Sequence, residues 1–294
     1  MKTKIIAFAG SKQSGKSTCA KFLHGYQMRS YHCIDDFAIT DDGDFLVKTR
    51  VVDDDGKVND EDYVSLDINR TDVNFAEWAI REMWPFVKKY SFASSLKSIA
   101  VNLFNIPSEC VYGTEEQKRK TIDHLRWENM PGVVSNKTSF YVEGVDSEFW
   151  NNIIIHENGP MTAREFLQYF GTDVCRKMYE NVWVDRCIKD VQEEGSLLAV
   201  IDDCRFKNEI EAIQNAGGKV IGLTRQPHKD NHGSEKEISE NWDLLDAVID
   251  NSKMSINEMC QSVIGHINDW DWIGEVVQKE NKKKFNKLHT IKAK

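Results

Sequence analysis

Two hydrophobic rhythms alternate along this chain. Lys4–Ala9 (KIIAFA) is an almost continuous apolar run, the pattern of a strand buried on both faces of a parallel sheet. A glycine-bounded turn over residues 10–15 follows. Cys19, Phe22, Leu23 and Tyr26 then recur at the spacing of one helix face. The buried-strand pattern returns at Leu197–Ile201 (LLAVI) and at Lys219–Thr224. Between them Phe206, Ile210 and Ile213 read as a helix that stops at Gly217–Gly218, a natural C-cap. Ala247–Ile249 is expected as the last strand and Ile256–Ile267 as the closing helix. Strands and helices in alternation, joined by short glycine turns, predict an α/β fold: a doubly wound parallel sheet with helices on both faces.

Other segments depart from this plan. Phe92, Leu96, Ile99 and Leu103 predict a helix, and Phe166, Phe170, Val174 and Met178 predict another at four-residue spacing. Residues 107–160 are irregular, with Trp127, Trp150 and a β-like run at Asn152–Ile155. Over about 27–90 acidic clusters, Gly43 and Gly56 separate short β-like pieces (Phe45–Val47, Arg50–Val52), predicting an inserted hairpin or mobile flap. The polar stretch 226–240 reads as a lid. One domain over 1–267 and a basic extension over 268–294 are expected.

Composition narrows the class. In 294 residues, 40% hydrophobic and 10% aromatic, there is enough apolar material for a core. A net charge of −9 leaves no global basic field for a nucleic-acid duplex. The lysine-rich Lys279–Lys294 is expected to be a solvated tail, with a DNA or partner contact as the minor alternative. The seven cysteines form no zinc-spaced cluster, and His232 has no partner at metal spacing. Met1 runs straight into a strand, and no apolar run reaches membrane-span length. The expectation is a reduced, cytoplasmic protein without membrane attachment; whether it forms a homodimer is left open.

The turn itself carries chemistry. Gly10-Ser11-Lys12-Gln13-Ser14-Gly15-Lys16-Ser17-Thr18 fits G-x-x-x-x-G-K-[ST] at every fixed position, after a buried strand and at the start of a helix. Two glycines let the backbone wrap a phosphate, so that successive N–H groups from Lys12 to Thr18 form an anion nest. The helix adds its unpaired donors and the positive end of its dipole. Lys16 can reach the β- and γ-phosphates of ATP, and Ser17 can offer its hydroxyl to Mg²⁺.

A second cluster, Asp202-Asp203-Cys204-Arg205-Phe206, ends a buried strand, at the sheet edge where open α/β folds bind ligands. Asp203 is the expected second Mg²⁺ element, through water, and Arg205 can fork two donors onto a phosphate. The competing reading is an Asp–Arg surface pair capping the next helix. Arg164 and Gln168, four apart, are candidates for reading a base edge or a phosphate, against an ordinary solvated face. Arg225, at a strand end before the lid, is the candidate to close over ATP.

Taken together, these residues resemble the phage-type deoxynucleoside monophosphate kinase family of P-loop kinases. The likeness runs through GSKQSGKST, SFASSLKSIAVNLF (91–104) and AREFLQYFGTD (163–173). It continues in AVIDDCRFKNEIEAIQNAGGKVIGLTR (199–225), H-x-S-E (232–235) and AVIDN. The resemblance implies transfer of the γ-phosphoryl of ATP to the 5′-phosphate of a deoxynucleoside monophosphate, in host cytoplasm if the source is a phage. It implies Lys16, Asp203 and Arg205 as the catalytic set. Lys97, Arg164, Gln168, Gly171, Thr172, Trp183, Arg205 and Glu209 would face the acceptor. Rival readings are a related kinase with another acceptor (a modified nucleotide, a DNA base or dephospho-coenzyme A) and a nucleotide-binding protein that is no kinase.

Overall fold

In the computed structural model, which describes residues 2–48, 51–52, 58–59, 63–70, 72–135, 153–226 and 241–272, the first apolar run is the middle strand of a five-stranded parallel sheet. Its strands are β1 (Lys4–Gly10), β2 (Val87–Tyr90), β3 (Leu198–Cys204), β4 (Lys219–Leu223) and β5 (Ala247–Ile249), ordered β2-β3-β1-β4-β5. The order reverses direction at β1, so the turn that follows β1 lies at the switch point of the sheet.

Period-two alternation divides each strand between two cores. Ile6, Phe8, Val200, Ile221 and Leu223 pack with Cys19, Phe22 and Leu23 of α1 (Lys16–Ser30). The last helix, α4 (Ile256–Asp269), adds Met259, Val263 and Ile267 to this core. Ile5, Ala7, Ala9, Ala199, Ile201 and Val220 turn the other way. They meet Cys187 and Val191 of α2 (Val182–Glu194) and Ile210 and Ile213 of α3 (Lys207–Asn215). Helices therefore cover both faces, as the alternation of elements predicts.

The inserted segment contains the hairpin pairing expected of it but not the flap. Residues 27–30 finish α1, and 87–90 are the edge strand β2. Between them Asp36–Ile39, Phe45–Lys48 and Tyr63–Ser65 form an antiparallel sheet, and Val73–Glu82 a helix capped by Asp72, whose Oδ1 accepts from Phe75 N at 3.1 Å. Phe37, Phe45, Val47, Ile68, Phe75, Ala79 and Met83 are buried in the same core as Ile6 and Phe8. This part is a packed layer, not a mobile flap: its inward apolar residues alternate with acidic ones that mask them in the sequence. The acidic residues 53–57 and 60–62 and Arg50 lie outside the described residues, as do Trp150, Asn152, almost all of the lid (227–240, with His232) and residues 273–294.

The chain divides into two compact units, Met1–Phe92 with Val184–Lys294, and Ala93–Trp183. The second has its own core of Ala100, Ile106, Val111, Ile122, Leu125, Met161 and Phe166. Its helix Ala163–Gln168 opens with a capping box between Thr162 and Glu165. From Tyr169 to Arg176 the chain is π-helical, which corrects the expected run of α-helix through Met178. Phe166 and Phe170 still stack, 5.4 Å apart, on one side of Phe104. Val174 also packs against this core, and Met178, beyond the π-helical stretch, ends 81% exposed. Among the described residues no helix is long and apolar enough to cross a membrane.

Candidate functional site

The turn after β1 is built from positive backbone angles. Gly10 has φ +150°, Gln13 +61° and Gly15 +108°. A Cβ on Gly10 would stand 2.7 Å from Leu223 O, and one on Gly15 would stand 2.9 Å from Met259 Sδ. The backbone oxygen of Leu223 leaves no room for a larger residue at 10, so that glycine is required by space as well as by angle; at 15, where the neighbour is a thioether side chain, the backbone angle makes the demand. Ser14 is fully buried and its Oγ has no hydrogen-bond partner among the described residues. An unpaired buried hydroxyl in a glycine-bounded turn at a helix N-terminus suits a phosphate oxygen. Gln13 is exposed, and Lys12 and Thr18 are half-buried.

Lys16 is 8% exposed, deeper than a loop lysine on the surface. Its Nζ donates to Gly10 O at 2.8 Å and to Ser11 O at 2.6 Å, bridging the two ends of the loop. Ser17, exposed at the first turn of α1, donates its hydroxyl to Asp202 Oδ2 at 2.9 Å. Lys89 Nζ, reaching from β2, meets the same oxygen at 2.9 Å and donates to Asn69 Oδ1 at 2.7 Å.

Asp203 goes elsewhere. Its Oδ2 accepts from Ser91 Oγ at 2.5 Å, and its Oδ1 accepts from Phe92 N at 3.1 Å. Strand pleating explains the split: Asp202 continues the face of Val200 toward α1, and Asp203 continues the face of Ile201 toward Phe92. The sequence reading placed Asp203 beside Ser17; the structure puts Asp202 there. The two oxygens, a serine hydroxyl and a carboxylate, are the hard donors that Mg²⁺ prefers.

His24 lies two turns along α1 from Ser17, fully buried, with Nδ1 2.8 Å from Ala20 O. Burial pushes it down to about 4, with the nearby Lys89 charge acting in the same direction, so it is neutral at physiological pH. Burial likewise raises the Cys204 thiol far above its usual range, with Glu209 and Asp203 adding to the effect, which removes it as a nucleophile.

Arg225 is held at the end of β4 by backbone oxygens. Its Nε donates to Asn251 O at 3.1 Å and its second guanidinium nitrogen to Met254 O at 2.5 Å. Its own carbonyl accepts from Ser11 Oγ at 2.8 Å. These bonds fasten it beside the loop. Asn251, the last residue of AVIDN, is fully buried against the loop. Glu209 is buried as well, and its Oε2 accepts from Arg205 N at 2.7 Å and Phe206 N at 3.1 Å, closing the start of α3. The carboxylate thus sets the backbone from which the half-buried Arg205 side chain extends.

The remaining candidates belong to the second unit. Arg164 pairs with Glu115, and Gln168 and Thr172 are exposed. Lys97 Nζ sits 5.5 Å from the centre of the Tyr112 ring. Gly171 is buried in the π-helical stretch, and its carbonyl accepts from Trp183 Nε1 at 3.1 Å. Trp183 therefore fixes the backbone of the G-T-D segment twelve residues before it. Departures from regular α-helix of this kind recur at functional sites.

Sequence reasoning missed Asp202 as the partner of Ser17, and missed Lys89, Asn69 and Asn251 altogether. The only signal for Asp202 was its strand parity, which decides nothing until the face covered by α1 is known.

The family model for deoxynucleotide monophosphate kinase matches residues 89–263, more than half of the chain. The chain is also 28% identical over 199 residues to a protein of Acanthamoeba polyphaga mimivirus named "Putative deoxynucleotide monophosphate kinase", covering 63% of this chain and 84% of that one. The matched family span begins at Lys89, so the phosphate loop rests on its own residues and geometry.

Proposed function

Because this chain belongs to the deoxynucleotide monophosphate kinase family, we propose that it transfers the γ-phosphoryl group of ATP to the 5′-phosphate of a deoxynucleoside monophosphate, giving the diphosphate and ADP. The observation that carries the ATP half is the glycine-gated loop with Lys16 across it and Ser17 bonded to Asp202.

The acceptor oxygen is already anionic at neutral pH, so no strong base is needed. Rate comes from alignment and from neutralising charge on the equatorial oxygens of the moving phosphoryl. In this reading the amides of residues 12–18 and the Lys16 ammonium hold the β- and γ-phosphates of ATP. Ser17 and Asp202 are the residues that would hold Mg²⁺, which when bound with ATP supplies Lewis-acid neutralisation of phosphate charge. Lys89, on the same Asp202 oxygen, keeps the carboxylate turned toward Ser17. Asp203 holds the Ser91 hydroxyl and the Phe92 N–H, which open the SFASSLK segment. Arg205, on a backbone braced by Glu209, is assigned to transferred or acceptor phosphate. Lys97, Arg164, Gln168, Gly171, Thr172 and Trp183 are assigned to the acceptor on the strength of the family likeness.

The test is a screen of deoxynucleoside and ribonucleoside monophosphates, including modified bases, with ATP and Mg²⁺, following ADP and phosphorylated product together. Equal amounts of ADP and a deoxynucleoside diphosphate are expected. ADP formed without a phosphorylated nucleotide, or phosphate appearing on DNA or dephospho-coenzyme A instead, would overturn the assignment.

A further inference from the structure

Asn251 follows β5 and is fully buried, and it lies against the phosphate loop. Its Nδ2 donates to Ser14 O at 2.7 Å and lies 3.2 Å from Met259 Sδ on α4. Its Oδ1 accepts from Arg225 N at 2.9 Å. The orientation of the carboxamide is not arbitrary. A backbone N–H can only donate and a carbonyl can only accept, so Arg225 and Ser14 between them fix which end of the amide faces which. Asn is the one residue of this size with a donor and an acceptor placed to meet both.

The bond to Ser14 O has a consequence on the other side of the same peptide. In a trans peptide the C=O of Ser14 and the N–H of Gly15 point in opposite directions. Holding the carbonyl toward Asn251 therefore holds the Gly15 N–H pointing away from it. Gly15 is pressed against the same support: a Cβ there would be 2.9 Å from Met259 Sδ and 3.5 Å from Asn251 Nδ2. Gly15, at φ +108°, contributes no side chain to anchor this peptide, and Ser14 Oγ has no hydrogen-bond partner among the described residues. Ser11 Oγ, bonded to Arg225 O, tethers the opening of the loop to the same strand end.

We infer that Asn251 is a positioning residue for nucleotide phosphate: it locks the Ser14–Gly15 peptide so that the Gly15 N–H is aimed at a phosphate oxygen before ATP arrives. The inference rests on the phosphate-loop reading and adds to it a residue remote in sequence that makes the loop a preorganised anion site. The ligand class is a nucleoside di- or triphosphate, and the effect falls on phosphate binding, leaving the acceptor untouched.

The experiment titrates ADP with Mg²⁺ into the full-length protein and into Asn251→Asp by calorimetry, at pH 8 and pH 6, with thermal unfolding measured on each sample. The variant keeps shape and the acceptor for Arg225 N but replaces the donor with a carboxylate oxygen facing Ser14 O. At pH 8 its ADP affinity should fall about tenfold to a hundredfold relative to the unmodified protein. At pH 6 the ratio should narrow, because a buried carboxyl beside a carbonyl takes up a proton and can donate again. The Michaelis constant for the acceptor should not move. Equal ADP affinity in the folded variant would overturn the inference, and so would a loss that tracks the melting temperature without recovering at pH 6. If Asn251→Asp does not fold, Asn251→Ser removes the same donor without charge and carries the pH 8 comparison. Failure of the unmodified protein to bind ADP would instead sink the phosphate-loop reading itself.

Discussion

Ser17 and Asp202, 185 residues apart in the chain, share a hydrogen bond of 2.9 Å from hydroxyl to carboxylate Oδ2. The adjacent carboxylate, Asp203, belongs to the opposite face of the strand and to Ser91 and Phe92. Two neighbouring acids at one strand end therefore have separable duties, and the difference is measurable. Asp202→Asn should raise the Mg²⁺ concentration needed for half-maximal kinase activity by about 10- to 100-fold. Asp203→Asn should leave the Mg²⁺ requirement near its original value. A metal titration in which Asp203→Asn shifts and Asp202→Asn does not would return the metal role to Asp203.

Lys16→Ala should abolish useful turnover while the protein still folds. The ammonium is lost from the phosphate site, for which a fall of roughly 10² to 10³ in rate is the scale of a removed charge-stabilising donor. Its bonds to the buried Gly10 O and Ser11 O are lost with it, at a cost of about 1 to 3 kcal/mol of stability. Kinetics and calorimetry on the same sample check the pair of outcomes; near-wild-type turnover would contradict the site.

His24 should impose an acid limit on stability. Its folded value of about 4 lies below the ordinary 6.5, so the folded state resists a proton that the unfolded chain accepts. The stabilisation is full above pH 6.5 and is lost as pH falls toward 4, on the order of 3 kcal/mol in all. Urea unfolding at pH 7.5, 5.5 and 4.5 should show a flatter acid limb for His24→Gln than for the unmodified chain. Parallel limbs would mean that His24 is not held neutral by burial.

Phe45 tests the status of the inserted segment. At 1% exposure in the core shared with Phe8 and Phe22, its truncation to alanine should cost about 3 to 5 kcal/mol. A loose flap would lose almost nothing. Denaturant midpoints at constant slope decide between the two.

Arg164 addresses the acceptor. If its fork engages the acceptor nucleotide, Arg164→Lys should raise the deoxynucleotide Michaelis constant nearly as much as Arg164→Ala, about tenfold. The Michaelis constant for ATP should stay put in both. A rise confined to ATP would move Arg164 out of the acceptor set.

The sequence by itself determined four of the five strands of the parallel sheet, their alternation with helices, the glycine-and-lysine pattern of the loop at 10–18 and the family likeness. These are readable because each depends on residues close in the chain: a strand's burial on both faces shows as an unbroken run, and a phosphate turn shows as two glycines at fixed spacing. Only the tertiary structure decided which of Asp202 and Asp203 meets Ser17, because strand parity has no meaning until α1 is seen to cover the face of Ile6, Phe8 and Val200. It decided that Phe37, Phe45 and Phe75 are core, because partners distant in sequence supply the burial. It revealed the π-helical turn at Gly171, where local propensity predicts plain α-helix. And it brought Asn251 onto Ser14 across 237 residues, a contact made by β5 emerging beside the loop and legible in no local pattern.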